Sequence, residues 1–310
     1  MVTKGLHKPL LNIFEAELVH LEASTYCNAR CPQCVRNLCG WNVVDVVEQH
    51  LQVDVLAGIM SELPRSITTV FNGNYGDPMM NPHIVDLVKL CPSRTSVTTN
   101  GSIGKIETFI ELAMLGVEIC FSIDGLHDTN HIYRQDVDWN KIMERASAFI
   151  DAGGIAHWKF VIFKHNAHQV RSADVLSQRM GFASFEVQNH ERNHGPILDN
   201  TGAEVGWLLP HNRSAQPYDY DLDQWRDNLT NKYNLQKDHT GAIIKCEAKQ
   251  DNSLYFNVKG ELLPCCYHGV DQHIHPQGTT LQEQIDSYRW LEDTWGKKDC
   301  NETCYSACKR

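Results

Sequence analysis

The chain has 310 residues, enough for one large domain or a large one with a small companion, and 42% of them are apolar, enough for a sizeable core. A formal net charge of −10 argues against broad charge-driven contact with nucleic acid, though not against a local basic pocket. Neither a signal peptide nor a run of roughly 18 apolar residues able to cross a membrane can be read in it, so a soluble, cytoplasmic protein is expected.

From residue 16 to 188, strand-like and helix-like segments alternate six times. The expected strands are Glu17–Glu22, Ile67–Asn72, Ser96–Thr99, Val117–Ser122, Trp158–Lys164 and Ser184–Gln188, all short, rich in β-branched and aromatic residues, and bounded by Gly, Asn or Pro. Between the third and fourth, Ile106, Phe109, Ile110, Ala113 and Met114 follow helical spacing until Gly116. Ile142, Met143, Ala146, Phe149 and Ile150 repeat the pattern before Gly153-Gly154. Such alternation implies an α/β fold with a parallel sheet. Six units suggest an incomplete barrel, a partial (β/α)6 TIM-like arrangement, although an open doubly wound sheet fits the periodicity almost as well. Residues 191–245 are polar and read as a connector, with a helix around Leu222–Leu229. His190, His194 and Trp207 are candidates either to line a substrate pocket or to lie on the connector's surface. A hairpin is expected over Leu254–Val258 and Glu261–Leu263 with its turn at Lys259-Gly260, followed by a helix over Leu281–Trp295. The expected units are therefore residues 1–190, the connector 191–245 and a small C-terminal domain 246–310.

The twelve cysteines are concentrated at the two ends. Cytosolic thiols stay reduced, so metal binding or catalysis explains such clusters better than disulfides. Cys91 and Cys120, in between, read as small apolar residues. Cys27, Cys31 and Cys34 form a CxxxCxxC on the loop after the first strand, a spacing that suits three corners of a [4Fe–4S] cluster. Zinc is the competing reading, with Cys39 or a histidine as its fourth ligand. Cys246, Cys265, Cys266, Cys300, Cys304 and Cys308 form the second group.

The first motif resembles the signature of the radical S-adenosylmethionine (SAM) superfamily, and the resemblance continues at later strand ends. Phe71-Asn-Gly-Asn-Tyr-Gly-Asp-Pro78 is similar to the glycine-rich segment that receives the methionine end of SAM, which implicates Asn74, Tyr75, Gly76 and Asp77. Asn100 ends the third strand. Ser122 and Asp124 match positions that bond the SAM ribose, Arg134 matches an arginine paired with the SAM carboxylate, and Asn166 matches a polar SAM contact. Two positions depart from the pattern: Gln33 stands where an aromatic residue usually packs near adenine, and Asp77 where Glu is usual. Cys246, Gly260 and Cys265 resemble the start of the SPASM/twitch extension, and its shorter, one-cluster version is the better match. That resemblance implies a second [4Fe–4S] cluster held by Cys246, Cys265, Cys300 and Cys304, with Cys308 the rival for the last place. Cys39 and Cys266 would then be either structural thiols or hydrogen-atom donors at the active site.

What the resemblance implies is an enzyme that takes one electron from a reductant such as flavodoxin or ferredoxin and cleaves SAM to methionine and a 5′-deoxyadenosyl radical. The radical then abstracts hydrogen from a substrate C–H bond. A small molecule is the expected substrate, because few residues precede the first strand; modification of a ribosomal peptide or protein is the alternative. A non-catalytic iron–sulfur or zinc scaffold is the third reading, disfavoured by the SAM-contact matches.

Overall fold

The computed structural model describes residues 13–38, 41–42, 46–91, 94–189, 195–211, 240, 243–266, 268, 276–295, 297–298, 301, 304 and 308. Six parallel strands run through its centre: β1 (Leu18–Leu21), β2 (Thr68–Phe71), β3 (Thr95–Thr99), β4 (Glu118–Ser122), β5 (Ile155–Val161) and β6 (Ser184–Gln188). They lie side by side in chain order. Helices connect them: α1 (Val53–Glu62), α2 (Ile84–Lys89), α3 (Ile106–Met114), α4 (Asn130–Tyr133), α5 (Trp139–Asp151) and α6 (Val170–Met180). A parallel sheet needs such crossovers, and covering it with helices buries its strands. Phe71, Val97, Ile119, Phe121, Trp158 and Phe160 are accordingly sealed from solvent.

Helix–sheet packing centres on Phe121. Its ring stacks on Phe109 of α3 at 6.0 Å and meets Phe149 of α5 edge-on at 6.3 Å and Phe182 at 5.9 Å. The α3 face differs from the expected one by a residue. Leu112 is fully buried, whereas Met114 is 78% exposed, because the helix ends there and Gly116 turns the chain at φ +73°. The α5 face is as expected, with Ile142, Ala146 and Phe149 inward. β5 starts three residues before the expected Trp158, since Ile155 already registers with Glu118 of β4.

Three further pairs complete the sheets, the shortest of them the antiparallel Asn37–Leu38 and Trp41–Asn42. β7 (Gly195–Leu198) and β8 (Glu204–Leu208) form an antiparallel hairpin inside what composition marks as a connector. Ile197 and Leu208 of this hairpin pack on Val161 and Phe163 at the end of β5. Lys164 N donates to the Leu209 carbonyl at 2.8 Å, fastening the hairpin there. β9 (Ser253–Phe256) and β10 (Leu262–Leu263) are the C-terminal hairpin, turned at Gly260 with φ +79°. β9 pairs in parallel with β1, Leu18 opposite Ser253 and Leu21 opposite Phe256, so the sheet has eight strands in the order β10-β9-β1-β2-β3-β4-β5-β6. The expected single helix near the end is two, Leu281–Asp286 and Arg289–Thr294. Thr280 and Glu283 form a capping box at the first of them. The helix expected at Leu222–Leu229 lies outside the described residues. No helix among the described residues is long and apolar enough to cross a membrane.

Candidate functional site

Loops at the C-terminal ends of β1 to β5 converge, as they do wherever parallel strands point their ends at a ligand. The loop after β1 carries Cys27, Cys31 and Cys34. Its turns are local: Cys34 N donates to the Cys31 carbonyl at 3.0 Å, and Ala29 N to Cys27 Sγ at 3.4 Å. Arg30 ties the loop to the segment beyond α4, bonding Asp136 through its side chain and the Gln135 carbonyl through its amide. Burial pushes the Cys27 thiol up to about 12, with the Asp77 carboxylate adding to it, and burial raises Cys31 to about 11 despite nearby Arg134. Without a metal these groups hold their protons, and metal binding would release them.

The second loop, Gly73 to Pro78, lies against the first. Gly76 sits so close that a Cβ there would stand 2.0 Å from the Ser24 carbonyl oxygen and 2.6 Å from that of Tyr26. Asp77 N donates to the Tyr26 carbonyl at 2.9 Å. The Asp77 carboxylate is buried and accepts from Thr99 Oγ1, Asn100 N and Met79 N at 2.8–3.0 Å. It therefore welds the end of β3 to this loop. Asn100 Nδ2 in turn donates to Asn28 Oδ1 at 2.9 Å and lies 4.0 Å from Cys27 Sγ.

The β4 loop supplies the charge. Asp124 is fully buried; it accepts from Arg134 Nε at 2.5 Å and from Val161 N at 2.6 Å. Arg134 Nη1 lies 3.7 Å from Cys31 Sγ, and its guanidinium covers the Tyr133 ring at 5.2 Å. A cation thus faces one thiol of the motif. Asn166, after β5, is also fully buried, and its side chain serves the backbone: Nδ2 donates to the Asp124 and Val161 carbonyls at 2.8 and 2.9 Å, and Oδ1 accepts from Phe163 N. Ser122, the last residue of β4, and Gln33, in the cysteine loop, are half-buried. Cys39 lies outside the described residues.

Two of the C-terminal cysteines, Cys246 and Cys308, come together by a different route. Lys245 N donates to the Cys308 carbonyl at 3.0 Å, which brings the chain end beside Cys246. Burial raises the Cys246 thiol, and the charge of Cys308 contributes. Cys304 Sγ lies 3.5 Å from Nε2 of His268, a residue 1% exposed that the sequence reading passed over. The contact joins positions 36 apart, which no short spacing could reveal. Cys265 and Cys266 follow β10, half-buried, and Cys300 lies outside the described residues. The Cys266 carbonyl accepts from Asn74 Nδ2 at 2.7 Å, linking this segment to the Gly73–Pro78 loop. Trp207 Nε1 bonds Glu204 on the hairpin, and His190 and His194 lie outside the described residues.

Cys91 and Cys120 are as expected: Cys120 is buried in β4, and Cys91 Sγ reaches the Leu87 carbonyl at 3.5 Å. Among the described residues no three Cys, His, Asp or Glu side chains are arranged to hold a single metal ion. A cubane cluster asks for something else, one thiolate on each of three irons around its corners. The Cys27–Cys34 loop offers that donor set, with the Arg134 cation beside it to offset the charge of a cluster bearing thiolates.

No family model matches the chain, and no curated protein matches it either. Solved structures do. Native anSMEcpe with bound AdoMet is 16% identical, with a TM-score of 0.60 over 94% of this chain and 88% of that one. The same protein with AdoMet and the Cp18Cys peptide gives 15% and 0.59 over 94% and 88%. SuiB of Streptococcus suis bound to its precursor peptide SuiA gives 17% and 0.55 over 96% and 67%. At these identities the likeness is one of fold, and it spans nearly the whole chain.

Proposed function

We propose that this chain is a radical SAM enzyme with a second iron–sulfur cluster near its C-terminus, and that it modifies a C–H bond of an organic substrate. The observation that carries the reading is the convergence of three strand ends on one site. The cysteine loop, the Gly73–Pro78 loop bonded to it, and the Asp124–Arg134 pair facing Cys31 all meet at the ends of β1, β2 and β4. Two proteins with bound AdoMet share the fold.

In this reading Cys27, Cys31 and Cys34 hold a [4Fe–4S] cluster. When bound, that cluster supplies the electron that cleaves SAM reductively and so makes a carbon radical available for hydrogen abstraction. Asp77 holds the Gly73–Pro78 loop to β3 and so fixes the backbone that receives the methionine end. Asp124 orients Arg134, whose guanidinium is then aimed beside Cys31, where a SAM carboxylate needs a cation. Asn166 shapes the β5 end through the backbone rather than by reaching a ligand, since both its amide hydrogens bond carbonyls. Cys246, Cys265, Cys300 and Cys304, with Cys308 the rival of Cys304, hold the second cluster, and His268 Nε2 lies 3.5 Å from the Cys304 sulfur. Flavodoxin or ferredoxin is the reductant we expect.

For the substrate we favour a peptide or protein side chain over a small molecule, because anSMEcpe and SuiB are both seen with peptides bound. Net oxidation suits a second cluster able to accept an electron. The test is Cys31→Ala: it should abolish formation of 5′-deoxyadenosine from SAM and dithionite while iron remains at the C-terminal site. Cleavage retained in that variant would remove the assignment.

A further inference from the structure

Glu22 follows β1 directly, and its carboxylate is 1% exposed. Oε1 accepts the Tyr75 amide at 2.8 Å, and the amides of Asn74 and Gly76 bond the same carboxylate. Tyr255, in β9, donates its hydroxyl to Oε2 at 3.4 Å. That phenol oxygen accepts from Asn74 Nδ2 at 3.0 Å, and the other hydrogen of the Asn74 amide goes to the Cys266 carbonyl. The bonds close a ring: Glu22 to the turn amides, the turn's Asn74 to Tyr255, and Tyr255 back to Glu22. It spans β1, the Gly73–Pro78 loop and the C-terminal hairpin.

Successive backbone amides aimed at one point form the concavity with which a turn binds an anion. Here the chain supplies the acceptor itself, the buried Glu22 carboxyl. No lysine or arginine bonds Glu22 among the described residues, so its burial is costly unless the amides repay it. A trans peptide points its carbonyl opposite to its N–H. Pinning three amides toward Glu22 therefore turns the carbonyls of Gly73, Asn74 and Tyr75 away from it, as acceptors for an ammonium group. The methionine end of SAM carries one.

Resting on the reading of this loop as the methionine-receiving segment, we infer that Glu22 is a positioning residue for SAM. It fixes the direction of the loop's peptide groups and, through Tyr255 and Asn74, makes that direction depend on β9 and the Cys265–Cys266 segment. The C-terminal hairpin is thereby part of the SAM site, although it need not touch SAM.

The experiment measures SAM affinity by equilibrium dialysis on the full chain reconstituted without oxygen. Iron content and the electron paramagnetic resonance signal of the reduced cluster report whether the first cluster is intact. Glu22→Ala should weaken SAM binding about tenfold or more, since it leaves buried amides without an acceptor. Glu22→Gln keeps an acceptor oxygen and should recover most of that loss. Tyr255→Phe should fall between them. In turnover, KM for SAM should rise with little change in kcat. Wild-type affinity in Glu22→Ala, or a loss that merely tracks lost iron, would overturn the inference. Should that variant not fold, Tyr255→Phe decides: a several-fold loss supports the inference and unchanged affinity overturns it. A wild-type protein that takes up iron yet binds no SAM would instead overturn the reading of the site itself.

Discussion

Arg134 Nε meets Asp124 Oδ2 at 2.5 Å, and the same guanidinium stands 3.7 Å from Cys31 Sγ, so one side chain joins the end of β4 to the cysteine loop. The carboxylate is fully buried and the arginine 18% exposed. Breaking such a pair strands a buried charge, which costs more than the pair itself contributes. Asp124→Ala should therefore destabilise the fold by about 3–5 kcal/mol in urea unfolding. Asp124→Asn, which still accepts from Val161 N, should cost less. Equal costs for the two would contradict the assignment of charge to this contact.

Glu22 should give stability an unusual pH dependence. Burial raises its carboxyl from 4.5 to about 7, against the lowering bonds from Tyr75 and Tyr255. The folded chain then keeps a proton that the unfolded chain releases. Its contribution is fully present below about pH 4.5, is lost as pH rises toward 7, and is flat above. The loss amounts to about 3 kcal/mol. Glu22→Gln cannot titrate, so its stability relative to wild type should improve between pH 5 and pH 7.5. A difference that does not change with pH would mean that Glu22 is ionised throughout.

Gly76 is required for contact rather than for backbone conformation. A methyl there would meet the Ser24 and Tyr26 carbonyl oxygens, which are main chain and cannot swing aside. Gly76→Ala should cost about 1–3 kcal/mol by overpacking. It should also separate the two loops, so that SAM affinity falls while iron uptake is kept. Wild-type affinity would show that the loops need not touch.

The C-terminal cysteines should hold iron independently of the first site. Cys246→Ala should lower the iron content by about four per chain, the complement of one cubane cluster, with the signal of the SAM-binding cluster preserved. Comparing Cys304→Ala with Cys308→Ala then identifies the last ligand, because only the true one should lose the same amount. Unchanged iron in all three variants would leave the second cluster without support.

The strands of the main sheet were legible because each is a short apolar run closed by a turn residue, a pattern set by local chemistry. The pattern gives Ser184–Gln188 to the residue. It misses the start of β5, because Ile155, Ala156 and His157 follow two glycines and look like a turn until Glu118–Cys120 pair with them. The β7–β8 hairpin looks like connector in the sequence: its surroundings are polar, and the burial of Ile197 and Leu208 depends on Val161 and Phe163, which lie far away in the chain. At the site, the cysteine motif and the Asp124–Arg134 positions stand out in the sequence. Glu22 and His268 do not, since their partners are 53 and 36 residues distant and no spacing rule connects them.

The most direct test is to reconstitute the chain without oxygen, count iron and sulfide, and add SAM with dithionite. The account predicts about eight irons per chain, two cubanes' worth, and formation of 5′-deoxyadenosine. Zinc in place of iron, with SAM left intact, would contradict it and make the protein a metal-bound scaffold.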